Sequence, residues 1–327
     1  MMLRIARLSL RFVGCVLVAG LAESPATRAG AAVPTTVDFP GSDRTRIYGI
    51  NKGGDIVGTY EVSDPAVVVH SHGFLLANGH FTTIDFPGGF GTEAYGINAA
   101  GEIVGVYWDN QGAYRGRHGF LLSGGRFVRI DAPHAVVTRA LGINDRGQIA
   151  GVYTVREQSG IPGSEAPSLL FRLLGQPYPY DYEYGHGFVY VNGHFAIVDF
   201  PGAARGEQTI ASAINAAGQV VGTYIDRSYA SRHGFLLTKG DYINVDVPGP
   251  RQTYPTGVNT AGQVVGHLSY TTGFLWDQGR VTVLDFTDVV PGATHTMPCG
   301  INDGGQIVGY YSTTLSHDHG FMLSPDR

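Results

Sequence analysis

Short apolar runs alternate with turn residues along most of the chain, and the alternation repeats. Its clearest copy spans Tyr48 to Gly88: YGINKGGDIVGTY, a connection, then HGFLLANGHFTTIDFPG. The first run ends at Ile50-Asn51, and the second is Ile56-Val57-Gly58-Thr59-Tyr60. Asn at the start of an Asn-x-x-Gly turn, with Gly in its left-handed position, lets the chain reverse between them. The third run, His72 to Ala77, meets the fourth, His80 to Phe86, across Asn78-Gly79, a strong hairpin signal. Pro87 cannot extend a ladder and closes the unit. Each copy therefore predicts four short antiparallel strands.

The copies are counted by Asn51, Asn98, Asn144, Asn215, Asn259 and Asn302, at spacings of 43 to 47 residues except for one of 71 that holds an insertion. Four strands per unit at this period predict propeller blades, since a lone four-stranded sheet cannot cover both its faces. The sixth copy stops after its third strand, at HGFMLSPDR. The missing strand stands near the other terminus, where TTVDFPG (35–41) nearly duplicates TTIDFPG (82–88). The expected fold is all-β: a six-bladed propeller closed by the N-terminal strand, occupying residues 33–327 with an insertion at about 155–185.

The recurring G-I-N-x-x-G-x-I-V-G and H-G-F elements resemble the HAF-repeat family of probable extracellular repeat proteins. The resemblance covers roughly residues 33 to 327 apart from the insertion and implies an exported protein with no activity to carry over. Ala213 and Thr272 depart from the signature in the fourth and fifth copies. Residues 1–31 read as a secretory signal peptide: Arg4, Arg7 and Arg11 precede an apolar run too short to span a bilayer, and small residues follow. A secreted or periplasmic location, with no membrane span, is expected.

Cleavage after Ala31 removes four of 22 basic and one of 27 acidic residues, leaving 18 against 26. That acidic balance argues against a nucleic-acid partner. Cys299 reads as a packed thiol in the slot of Tyr48, Tyr95 and Leu141.

The recurring histidines (His72, His118, His186, His233, His319) occupy one slot in different blades, too far apart to converge. They read as structural partners of Asp85, Asp131, Asp199 and Asp246. No acidic residue stands at ligand-like spacing from His70/His72, His317/His319 or His295, so neither metal nor other cofactor is expected. No catalytic residue is assigned.

Short uniform turns share one rim, and the long unequal connections share the other, where binding usually lives. Thr recurs four residues before the glycine slot (Thr45, Thr92, Thr138, Thr209, Thr253, Thr296), while the next residue varies: Arg46, Glu93, Arg139, Ile210, Tyr254, Met297. A fixed Thr beside a free position reads as scaffold beside a sampling surface. The expected ligand-binding residues are Arg46, Glu93, Trp108, Arg139, Tyr180, Tyr182 and Tyr254 on the long-loop rim, meeting a glycan or peptide. Salt bridging of Glu93 with either Arg is the bland alternative. A non-enzymatic binding or scaffold propeller is the leading function. The rival is a carbohydrate-active hydrolase or lyase using Glu93, Asp109, Asp181, Glu183 or Asp226.

Overall fold

The computed structural model describes residues 27–28, 33–62, 71–109, 116–156, 183–204, 209–228, 231–249, 252–314 and 317–325. The chain is an all-β propeller of four-stranded antiparallel blades. In the blade of Asn51 the strands are Arg44–Ile50, Ile56–Glu61, Ser71–Ala77 and His80–Ile84, paired in that order. The blades of Asn98 and Asn144 share one hydrogen-bonded sheet only because Val137 pairs with Arg117 between them. The last blade is completed across the termini: Thr35–Thr36 pairs with His317–Leu323, and Val37 N–H donates to the Gly320 carbonyl at 2.8 Å. Thr27–Arg28, within the expected leader, pairs in parallel with Arg280–Leu284 on the outer edge of the Asn259 blade.

The core lies between blades. Val57 and Ile84 pack on Ala94, Ile97 and Phe120 of the next blade. The same layer recurs where the last blade meets the first, with Val308 against Ile47 and Phe74. The H-G-F phenylalanines Phe74, Phe120, Phe188, Phe235 and Phe321, and Phe274 of the departing copy, are fully buried in these layers. Their rings explain the glycine of I-V-G: a Cβ on Gly105 would lie 2.0 Å from the Glu93 carbonyl and 2.7 Å from Phe120.

Three polar latches repeat around the blades. Each recurrent Thr accepts a backbone N–H from the end of the preceding outer strand, as Thr45 does from Phe39 at 3.0 Å and Thr296 from Phe286 at 2.9 Å. The expected scaffold role of this Thr is thus its observed one. Five histidines place Nδ1 on an aspartate: His72 on Asp85, His118 on Asp131, His186 on Asp199, His233 on Asp246, and His319 on Asp38 across the termini. They also pack on tyrosines, as His72 does on Tyr60 at 5.2 Å.

The third latch is the Asn. Its side chain does more than form a turn. Asn51 Nδ2 donates to the Asn98 carbonyl, Asn98 to Asn144, Asn144 to Asn215, Asn215 to Asn259, Asn259 to Asn302, and Asn302 back to Asn51, at 2.7–3.4 Å. Each Nδ2 also meets an acceptor four residues on: Asp55, Glu102, Gln148, Gln219, Gln263 or Gln306. All six are buried with their hydrogen-bonding capacity filled.

Candidate functional site: the axial mouth

The first strands of successive blades gather around one axis, packed so closely that a Cβ on Gly96 would stand 3.0 Å from Gly142 Cα. Their alternate side chains form two tiers toward the long-loop side. The outer tier carries Arg46, Glu93, Arg139, Ile210, Tyr254 and Met297; the inner carries Tyr48, Tyr95, Leu141, Ser212, Thr256 and Cys299. Strand alternation puts i and i+2 on one side, which is how each outer-tier residue comes to stand over its inner partner.

Arg139 is the chemically unusual member. Nη2 donates to the Tyr95 hydroxyl at 3.1 Å, and the guanidinium sits 5.7 Å from the centre of that ring. Tyr95 donates onward to Glu93 Oε2 at 2.7 Å. Arg139 Nε is buried with no partner. A guanidinium offers five N–H donors and does not give up its proton, so this one is a half-buried cation that, among the described residues, reaches a carboxylate through a phenol. Tyr95 raises its pKa, against the burial that disfavours charge. Burial raises that of Tyr95 itself, helped by Glu93. Tyr48 packs on Tyr95 at 4.6 Å and extends the aromatic lining toward Tyr310.

The expected residues do not form one cluster. Glu93 and Arg139 are joined through Tyr95, not by the salt bridge weighed from sequence. Arg46 turns away to the last blade: Nε donates to Asp318 at 2.6 Å, and the guanidinium lies 5.3 Å from the Tyr310 ring. Arg46 is therefore a cross-blade tie. Trp108 lies at the blade's long-loop end, over Gly91, with the Arg117 guanidinium 5.8 Å from its ring. Arg117 pairs with Val137, two residues from Arg139. Tyr254 stands on the far side of the mouth against His267 and Tyr270. Tyr180 and Tyr182, with Asp181, lie outside the described residues, as does His70. Cys299 is a free thiol whose pKa burial pushes up to about 12. Among the described residues no three His, Cys, Asp or Glu side chains gather to hold a metal, and no helix is long and apolar enough to cross a membrane.

Sequence reasoning passed over Tyr95, Asp318, Arg117 and His267. Tyr95 had a usable signal, standing two residues after Glu93 on the same strand. The short-turn rim, expected to be too uniform for a selective pocket, carries a shallow axial depression lined by Asn51, Asn144, Asn215, Asn259 and Asn302 and by the Ile or Val before each of the six Asn. The Asn side chains there are already satisfied by neighbouring backbone carbonyls and by the residues four positions on.

No family model and no curated protein matches the chain. Among solved structures, the β-propeller domain of the Trilobed protease from Pyrococcus furiosus is similar at 10% identity and TM-score 0.50, covering 86% of this chain and 96% of that one. Pyrococcus horikoshii acylaminoacyl peptidase aligns at 10% identity and TM-score 0.46 over 83% of this chain, which spans 44% of that protein. YCF48 bound to D1 peptide aligns at 8% identity and TM-score 0.47, covering 92% of this chain and 98% of that one. At these identities the first likeness speaks for the fold alone.

Proposed function

We propose that the chain is a six-bladed ring that binds a ligand without transforming it. The ligand is a glycan or peptide with an anionic group, held at the axial mouth on the long-loop side. The observation that carries this reading is Arg139, half-buried, with its Nε buried and unpartnered and, among the described residues, no carboxylate in direct contact. An anion placed there would supply the missing countercharge and a charge-assisted hydrogen bond. The cycle of six Asn bonds and the strand shared between the termini support six blades and closure. The repeat signatures support membership of the HAF-repeat proteins, and the leader-like residues 1–31 support export.

The described carboxylates favour binding over hydrolysis. Glu93 accepts from Tyr95, while Asp109 and Asp226 flank the latching histidines His118 and His233. A glycan and peptide array probed with the mature protein, with mass analysis of each hit after incubation, tests the reading. Intact hits bearing carboxylate, sulfate or phosphate are expected. Cleaved products, or hits confined to neutral molecules, would overturn it.

A further inference from the structure

The fifth blade departs from the repeat at three adjoining positions. Where the other blades have the Tyr–His stack, it has Leu268 and Thr272. A histidine appears instead at 267, in the slot of Thr59, Val106, Val152, Thr223 and Tyr310. His267 is 6% exposed and its Nδ1 finds no partner. It is not a latch of the kind the other blades use, because those place Nδ1 on a carboxylate. Its ring is instead stacked with Tyr254, its cross-strand partner, at 4.8 Å and 14°. Tyr270 packs on it at 4.9 Å and is itself 56% exposed.

The turn that carries Tyr270 is costly. Ser269 and Tyr270 both hold positive φ, at 46° and 61°. The other described two-residue turns with positive φ at both positions end in Gly: Gly79, Gly125, Gly193, Gly240 and Gly279. A glycine would relieve the strain, and a valine, as in two other blades, would remove the unpaired imidazole. Strained backbone, an orphaned polar atom and an exposed aromatic ring at one spot point to use.

The chemistry narrows the ligand. Tyr270 is tilted 36° to the imidazole and 45° to Tyr254, so the rings form no slot for a flat molecule. Gln252 Oε1 accepts from the Tyr254 hydroxyl at 2.5 Å, Ser269 Oγ accepts from the Gln252 N–H, and Thr271 Oγ1 donates to the Leu268 carbonyl, so amide and hydroxyl groups edge the rings. An apolar face edged by hydroxyl-binding groups suits a sugar ring, whose C–H face packs on an aromatic while its hydroxyls seek partners. We propose that Tyr254, His267 and Tyr270 form a neutral-saccharide subsite, with the sugar's C–H face on Tyr270 and one hydroxyl on His267 Nδ1, reached by rotation of the exposed Tyr270 ring. The subsite does not depend on Arg139.

The test titrates the mature protein, by calorimetry, with β-1,4-linked hexasaccharides of glucose, xylose, mannose and N-acetylglucosamine. His267→Val and Tyr270→Gly are measured alongside. At least one hexasaccharide should bind the wild type, and each variant should weaken that binding about tenfold or more, with a Tm equal to or above the wild type's. The subsite is overturned if the wild type binds none of the four, or if both variants bind like the wild type. Lost binding with a clearly lowered Tm would overturn it too, marking the two side chains as packing residues.

Discussion

Arg46 Nε donates to Asp318 Oδ2 at 2.6 Å although 272 residues separate them. Asp318 is 9% exposed and accepts a second bond, from Ser312 Oγ at 2.6 Å. The pair ties the first complete blade to the last, beside the strand shared by the termini. Arg46→Ala would leave a buried carboxylate with one partner, a loss of roughly 2–4 kcal/mol. A urea double-mutant cycle with Asp318→Asn should show the two sites strongly coupled; additive effects would mean the contact contributes little.

The Asn latch makes a second demand. In Asn144→Ala the Asn215 carbonyl and Gln148 lose a donor at 2.9 and 2.8 Å, and the Gln148 N–H loses its acceptor. The expected cost is about 2–3 kcal/mol, from several buried groups losing partners at once. Lys52→Ala, exposed in the equivalent turn of another blade, should stay within about 0.5 kcal/mol. Equal, small effects in denaturant melts would show that the Asn serves only its own turn.

Much of this architecture was legible in the chain. The duplicate of TTIDFPG at residues 35–41 anticipated the strand exchange between termini, and the His–Asp spacing anticipated the latches. The fixed Thr beside a free neighbour marked scaffold correctly, because one role repeated in every copy leaves a visible invariant. Asn51 and its equivalents misled for the opposite reason. Asn satisfies a turn by itself, so the acceptor four residues on (Asp, Glu or Gln) went unread as the sign of a second role. Arg46 could not be placed, since Asp318 becomes its neighbour only where the last blade packs on the first. Arg139 was found as a free position, but the phenol standing between it and Glu93 is set by how adjacent blades pack.

His267 gives the protein a signature in mild acid. Burial lowers its pKa to about 4 from an ordinary value of 6.5, so between those values the unfolded chain takes up a proton that the folded chain refuses. Stability should therefore fall as pH drops from 6.5 to 4, by roughly 3 kcal/mol from this group, and the loss should level off below that window. His233 acts in the opposite sense. Burial opposes its charge, but Asp246 and Asp226 outweigh that and raise its pKa. Its contribution is full below its unfolded value and fades as pH rises through the folded one. Thermal melts across this range should show His267→Val with a flatter acid limb than the wild type. An unchanged limb would show that His267 is protonated in the folded state.

Closure by the N-terminal strand is tested by deleting residues 33–41. The deletion removes the Val37 bond to Gly320, the Asp38 partner of His319, and Phe39, which stacks on Tyr60 at 3.7 Å. An exposed edge and a lower Tm are expected, with recovery when a peptide of residues 33–41 is added. A melt matching the intact protein would remove the strand from the account.

The central claim is that Arg139 holds an anionic ligand at the long-loop mouth. The most direct measurement is a calorimetric titration of Arg139→Gln against the wild type, using the strongest carboxylate-, sulfate- or phosphate-bearing hit from the array. Binding should weaken about tenfold or more, the scale of a lost charge-assisted hydrogen bond. Stability should change by no more than about 1 kcal/mol, because the lost hydrogen bond to Tyr95 is offset by removal of a buried Nε that has no partner. Unaltered binding by Arg139→Gln, with loss instead on substituting Lys52, Arg126 or Arg146 at the short-turn rim, would contradict it.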